Sequence, residues 1–184
     1  EELERARSMA AQATEWARQE IAMPSEAKSV FSTRKNSAEE RGYTYAMYAD
    51  TYAFILDKTG DPKSAAKYQR EAVDIQKGGN AEFNERYIGY LEHTGAPDLR
   101  YQIEGFIMKG SATAAMKEKF KKLYAAEDRS DAGVAAYLTE LDGVAHAALK
   151  EELLKKMLDE PAPSFSLKNL NGEEVSLEGL RGKV

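Results

Sequence analysis

This sequence predicts a mainly α fold of stacked helical hairpins, closed by a short C-terminal β-hairpin. Three observations carry that prediction. Residues 1–158 hold apolar side chains at steps of three and four and are rich in Ala, Leu, Glu, Lys, Gln and Met. The tetrapeptide Thr59-Gly60-Asp61-Pro62 is echoed 35 residues later by Thr94-Gly95-Ala96-Pro97. Apolar spacing then switches to alternation over Phe165–Leu170 and Glu173–Leu177, on either side of Asn171-Gly172.

The first helix is expected from Leu3, Ala6, Ala10, Ala13 and Ala17, which share one helical face. Pro24 ends it or closely follows it. Residues 25–36 carry no clear pattern. Ser37-Ala38-Glu39-Glu40 reads as a capping box, in which the hydroxyl accepts from an amide one turn on and Glu40 reaches back. The helix that follows carries Ala46, Ala49, Tyr52, Ala53 and Leu56 and stops at Thr59-Gly60. Glycine closes a helix there because it takes the left-handed conformation without a steric penalty. Asp61 caps the next helix and Pro62 opens it, at a position where no amide donor is needed. Ala65, Tyr68, Ala72 and Ile75 form its expected buried stripe.

The second copy keeps the register: Tyr52 maps to Tyr87, Ala53 to Ile88 and Leu56 to Leu91. A third step reaches Ser130-Asp131, with Leu123 matching Ala53 and Ala135 matching Ala65, but no glycine marks its turn. A helix–turn–helix unit of about 35 residues resembles the tetratricopeptide repeat. Ala53, Gly60, Asp61, Ala65 and Ala72 stand at the small-residue and turn positions of that motif. Small residues are required where two helices cross closely. The second copy departs at Arg100 and Ile107. Two final helices are expected, Ala132–Leu141 and Val144–Leu158, the latter with Val144, Ala148, Leu154, Met157 and Leu158 on its apolar face. Pro161 and Pro163 stiffen the passage into the β-hairpin. The expected division is a helical domain over 1–158 and a separate segment over 161–184.

Composition narrows the function classes. The chain has 184 residues, 42% of them hydrophobic and 31% charged, which is globular rather than disordered. A formal net charge of −5 disfavours nucleic acid as a partner. No apolar run reaches the roughly 18 residues of a membrane span. The two histidines, His93 and His146, lie 53 residues apart without Cys or His at ligand spacing, so no metal site is expected. No phosphate-binding glycine loop or nucleophile-elbow pattern occurs, and no cofactor or catalytic residue is expected. The pairs Glu39-Glu40, Glu151-Glu152 and Asp159-Glu160 read as solvated helix faces. The basic cluster Lys117, Lys119, Lys121 and Lys122 is too short for nucleic-acid binding in so acidic a chain.

Ten tyrosines lie between Tyr43 and Tyr137, inside the repeat region. Packing between paired helices accounts for most of them. The alternative is an aromatic groove for a protein or peptide client. In tetratricopeptide-like arrays the first helix of each hairpin lines the concave face. The matching outward positions are Met47, Asp50 and Phe54, then Glu82 and Glu85, then Phe120 and Tyr124, a mixed acidic and apolar strip.

The C-terminal segment runs Pro161-Ala162-Pro163-Ser164-Phe165-Ser166-Leu167, then Asn171-Gly172, Val175-Ser176-Leu177 and Leu180-Arg181-Gly182-Lys183-Val184. It resembles the opening of a thioredoxin-fold domain of the TlpA/ResA type, or of the related alkyl hydroperoxide reductase and thiol-specific antioxidant family. In those families PAPxF leads into a short hairpin, a short helix and a Gly-Lys-Val that begins the first central strand. The redox cysteines follow. The resemblance implies a thiol–disulfide oxidoreductase, or a peroxidase, as the parent protein, and a periplasmic or cell-envelope location. This chain starts at Glu1, ends at Val184 and contains no cysteine. Both ends are therefore expected to be cuts, with the helical region a non-catalytic module that positions the redox domain or binds its clients. The alternative is a stand-alone tetratricopeptide-like interaction module. Without a thiolate nothing can attack a disulfide, so purified chain should leave the dithiothreitol reduction of insulin at its background rate. Acceleration by the pure protein would contradict this reading.

Overall fold

The computed structural model describes residues 2–25, 33–126, 131–157, 163–180 and 182. Seven helices come first: α1 (Glu2–Ala22), α2 (Arg34–Lys58), α3 (Pro62–Ile75), α4 (Ala81–Thr94), α5 (Leu99–Met108), α6 (Ala114–Ala126) and α7 (Asp131–Lys156). Strands β1 (Ser166–Lys168) and β2 (Glu174–Ser176) and a one-turn helix α8 (Leu177–Leu180) follow. The chain divides into two compact units, Glu1–Leu149 and Lys150–Val184.

Helix ends in the first unit are set by local chemistry. At the end of α2, Gly60 has φ +84°. Its amide donates to Asp57 O at 3.0 Å and the Asp61 amide to Leu56 O at 2.9 Å, which together satisfy two carbonyls left over by the last turn. The Asp61 carboxylate then accepts from the Ser64 amide at 3.1 Å, with Pro62 at the first position of α3. The same pair of bonds recurs 35 residues on: the Gly95 amide to Glu92 O and the Ala96 amide to Leu91 O, both at 3.0 Å. The repeat ends there. Ala96 has no side-chain acceptor, so α5 begins only at Leu99, and Pro97 lies in the turn before it rather than in its first position.

α2 packs on α1 and α3, α4 on α3, α5 on α4 and α6 on α5, as a stack of hairpins. The stack has two layers. Asp50 and Asp57 of α2 pair with Arg86 and His93 of α4, and Glu92 of α4 pairs with Lys119 of α6. On the other side, Tyr137 of α7 donates to Glu104 of α5 at 2.8 Å. Helices α2, α4 and α6 thus run along one layer, with α3, α5 and α7 along the other.

The tightest crossing is α2 on α3. Ala46, Ala49 and Ala53 of α2 and Ala65 and Ala72 of α3 have no solvent exposure. Single methyl groups let the two backbones approach closely. At α4 and α5 the equivalent positions hold Ile88, Arg100 and Ile107, all buried, and the helices meet less closely. Arg100 is accommodated by its pair with Glu104 at 2.9 Å. The core then continues through Phe106, Met116, Phe120, Val134, Leu138 and Leu141.

Several expectations are corrected. α2 starts at Arg34 and is capped by the Thr33 hydroxyl, which accepts from the Asn36 amide at 3.1 Å; Ser37 lies inside its first turn. Leu3 and Ile75 are exposed, whereas Gln69 and Val73 complete the buried side of α3. Ala135 is exposed, so the third repeat does not hold the register of Ala65; Val134 takes the buried place beside it. Asp142-Gly143 does not break the last helix. α7 is continuous, because a helical glycine costs only about 1 kcal/mol and no proline intervenes. Its later apolar residues, Val144, Leu149, Leu153 and Leu154, remain exposed, as does Met157 just beyond its end. Residues 26–32, Ser130, Leu158, Asp159-Glu160, Pro161-Ala162, Arg181 and Lys183-Val184 lie outside the described residues.

In the second unit Leu167 faces Val175 in an antiparallel register. The turn is longer than a two-residue Asn171-Gly172 turn. The Gly172 amide donates to Asn169 O at 2.9 Å, the Asn169 amide donates to Glu173 O at 2.8 Å, and Gly172 is left-handed. This is the three-residue hairpin loop that ends in a glycine bulge. Asn169 stabilises it by accepting from the amides of Asn171 and Glu173 through its side chain. The Ser176 hydroxyl caps α8 by accepting from the Gly179 amide at 3.2 Å.

Ala53→Phe should lower stability by about 1–3 kcal/mol, because the α2–α3 crossing has no room for a ring. Urea unfolding measures it. An unchanged midpoint would show that Ala53 is not at the crossing.

Candidate functional site

A groove of about 470 Å³ opens between α2 and α4. Phe54 and Asp57 line one wall; Glu82, Glu85, Arg86, Gly89, Tyr90 and His93 line the other. The wall from α4 arises from helical spacing, since 82, 85, 86, 89 and 93 lie at steps of three and four on one face. Gly89 stands 35 residues after Phe54, at the same place in the repeat. A Cβ built on Gly89 would touch nothing within 4 Å, so the missing side chain is part of what leaves the groove open.

The seven residues of the predicted strip separate into three groups. Phe54, Glu82 and Glu85 come together in the groove. Phe54 is 50% exposed, and both glutamates point into solvent. Met47 is partly exposed but lies outside the groove. Asp50, Phe120 and Tyr124 are not outward residues. Phe120 is fully buried because its ring packs with Tyr124 and Tyr137, at centroid distances of 5.8 and 6.1 Å. Tyr124 is half-buried in the same cluster.

Asp50 is only 5% exposed and works from beneath the groove. Its carboxylate accepts from Gln69 Nε2 at 2.9 Å and from Arg86 NH1 at 2.9 Å. Gln69 also donates to Phe83 O at 3.2 Å. This network joins α2, α3 and α4, and it fixes the Arg86 guanidinium at the groove wall. Burial holds the Asp50 carboxyl above its usual value, although Gln69 and Arg86 both favour the charged form. Asn84, also fully buried, ties the stack further along by donating to Gly78 O at 2.8 Å and Ser111 O at 3.0 Å.

Most tyrosines serve packing, as the simpler reading expects. Tyr45 donates to Glu71 and accepts from Arg18, joining α1, α2 and α3. Burial, and then Glu71, pushes its phenol upward. Tyr52 meets Tyr68 edge-on at 4.8 Å. Tyr90 differs. Only 5% exposed, it lines the groove, and its buried hydroxyl has no hydrogen-bond partner among the described residues. Burial, helped by Asp50 and Asp57, pushes its phenol up to about 12.

The basic cluster is neutralised locally: Lys117 pairs with Asp142 at 2.7 Å, Lys119 with Glu92 and Lys121 with Glu118. Among the described residues no group of His, Asp and Glu converges where it could hold a metal. No described helix is long and apolar enough to cross a membrane. Asp57, Arg86, Gly89, Tyr90 and His93 escaped the sequence reading. The step of 35 from Phe54 to Gly89 and the face shared by 82, 85, 86, 89 and 93 were the available signals. No protein-family model, curated protein or solved structure matches this chain.

The raised Asp50 value carries a sign. Its ionised form bears a desolvation cost in the folded state, present above the folded value and removed as pH falls through it. Asp50→Asn does not titrate. Stability of the natural chain relative to that variant should therefore rise as pH is lowered towards 3.8, the ordinary carboxylate value. Urea midpoints across the acid range measure this, and a pH-independent difference would contradict the buried placement of Asp50.

Proposed function

We propose that this chain is the non-catalytic helical region of a thioredoxin-like thiol–disulfide oxidoreductase of the TlpA type, and that it binds client polypeptide in the α2–α4 groove. The groove is the observation that carries the binding role. It combines an exposed aromatic face, a vacancy at Gly89 and a rim of carboxylates, which suits an extended segment with one anchoring side chain. The parent class rests on the PAPxF segment and on its sequel, a hairpin with Leu167 opposite Val175 followed directly by the turn of α8. A periplasmic or cell-envelope location belongs to the same proposal. In the parent, thiolate chemistry would come from cysteines beyond this sequence, and these helices would supply affinity for the protein being reduced.

One observation favours a second reading. The groove is built entirely from α2 and α4, within the first unit, and needs nothing from the hairpin. A helical interaction module with no redox partner domain would have the same groove. The reading frame beyond Val184 separates the two, since only the first requires a Cys-x-x-Cys there.

Panning a displayed peptide library against the chain, with Gly89→Trp as counter-target, tests the binding role itself. A Trp at this open position fills the groove while leaving the helix intact. Sequences enriched on the natural chain and lost on the variant are expected. Enrichment that ignores the substitution would overturn the assignment of the groove.

A further inference from the structure

We propose that the α2–α4 groove recognises one basic side chain, lysine or arginine, on the partner polypeptide. This rests on the reading of the groove as a polypeptide-binding site and adds the chemistry of its anchor.

Charge comes first. Four carboxylates surround the groove: Asp50 beneath it, and Asp57, Glu82 and Glu85 on its walls. Arg86 opposes them from 2.9 Å beside Asp50 and Lys58 from over the Phe54 ring, while His93, 2.7 Å from Asp57, adds positive charge only when protonated. The four carboxylates outnumber these two fixed cations. Glu82 keeps only a long contact of 3.5 Å to Arg86, and Glu85 has no ion-pair or hydrogen-bond partner among the described residues. The groove thus retains a surplus of negative charge at its rim, where a cation can reach it.

Shape and polarity agree. The Phe54 ring gives an apolar face for a hydrocarbon stem, and the absent side chain of Gly89 leaves room beside it. Lysine and arginine are the side chains that combine such a stem with a cationic head. The Phe54 ring already attracts one cation: Lys58 Nζ sits 5.4 Å from its centroid. Tyr90 supplies an independent sign. Its hydroxyl is buried and unpartnered, and it lies close enough to Asp57 and Arg86 to feel their charges. A buried hydroxyl without a partner is costly to leave so. A guanidinium or ammonium donor would give its oxygen a bond to accept once a side-chain shift opened the groove floor to it, since the hydroxyl is closed to solvent.

The test is an amide-resolved NMR titration with three acetylated, amidated pentapeptides: Ala-Leu-Arg-Leu-Ala and its Gln and Glu counterparts. The Arg peptide should move the amides of Phe54, Asp57, Glu85, Gly89 and Tyr90 and lose affinity as salt is raised. The Gln peptide should bind roughly fivefold more weakly, the worth of one exposed ion pair, and the Glu peptide not at all. Glu85→Gln should bring the Arg peptide down to the level of the Gln peptide, and Gly89→Trp should abolish its effect. Both positions are free of internal contacts, so shifts elsewhere in the spectra should stay in place. If the Gln or Glu peptide binds the groove as well as the Arg peptide, the cationic anchor is wrong and the groove stands. If no peptide moves the groove amides, both fall.

Discussion

The close crossing of α2 on α3 is the constraint from which the rest of this fold follows. Ala46, Ala49 and Ala53 meet Ala65 and Ala72 with no exposed surface. Alanine contributes little buried area, so the crossing is not held by hydrophobic bulk alone. What it gains is proximity, which lets longer side chains at the margins reach across. Gln69 on α3 can bond Asp50 on α2 and the Phe83 carbonyl on α4 because the backbones are close. Tyr45 and Arg18 close on Glu71 at the opposite margin. The methyl seam thus positions a polar network, and that network sets the spacing of α2 and α4. The groove is the outer side of that spacing.

The second hairpin uses the same turn with a different seam. Ile88, Ile107 and Arg100 replace alanines, and α4 and α5 separate accordingly. This divergence makes the array asymmetric along its length. The two first helices, α2 and α4, then carry unlike residues at matched places: Phe54 against Gly89, Met47 against Glu82, Asp50 against Glu85. A strict repeat would offer identical strips. Here one helix contributes an aromatic face and the other a vacancy with carboxylates, so the α2–α4 groove has two unlike walls.

Local chemistry was legible in the sequence, and long-range pairing was not. Gly60, Asp61, Pro62 and Gly95 announce their helix ends because each acts on backbone groups within one turn. The switch to alternation around Asn171-Gly172 announces a hairpin for the same reason, although Asn169 rather than the dipeptide sets its turn. The start of α2 was misplaced because Ser37 and Thr33 offer the same hydroxyl, and only the fold decides which is used. The expected gap between Leu141 and Val144 is absent because the cost of Gly143 inside a helix is small beside the burial of Val134, Leu138 and Leu141. Phe54, Glu82 and Glu85 were found from repeat geometry. Tyr90 was not, since one tyrosine among ten looks alike until its hydroxyl is seen to lack a partner.

We propose that the asymmetric α2–α4 groove, and not another face of the stack, receives a polypeptide. A structure of the chain bound to a peptide selected on it addresses this most directly. A side chain laid along Phe54 above Gly89, with its head within hydrogen-bonding distance of Glu85, is expected. A peptide seated instead on α3 and α5, beside Arg70 and Tyr101, would contradict it.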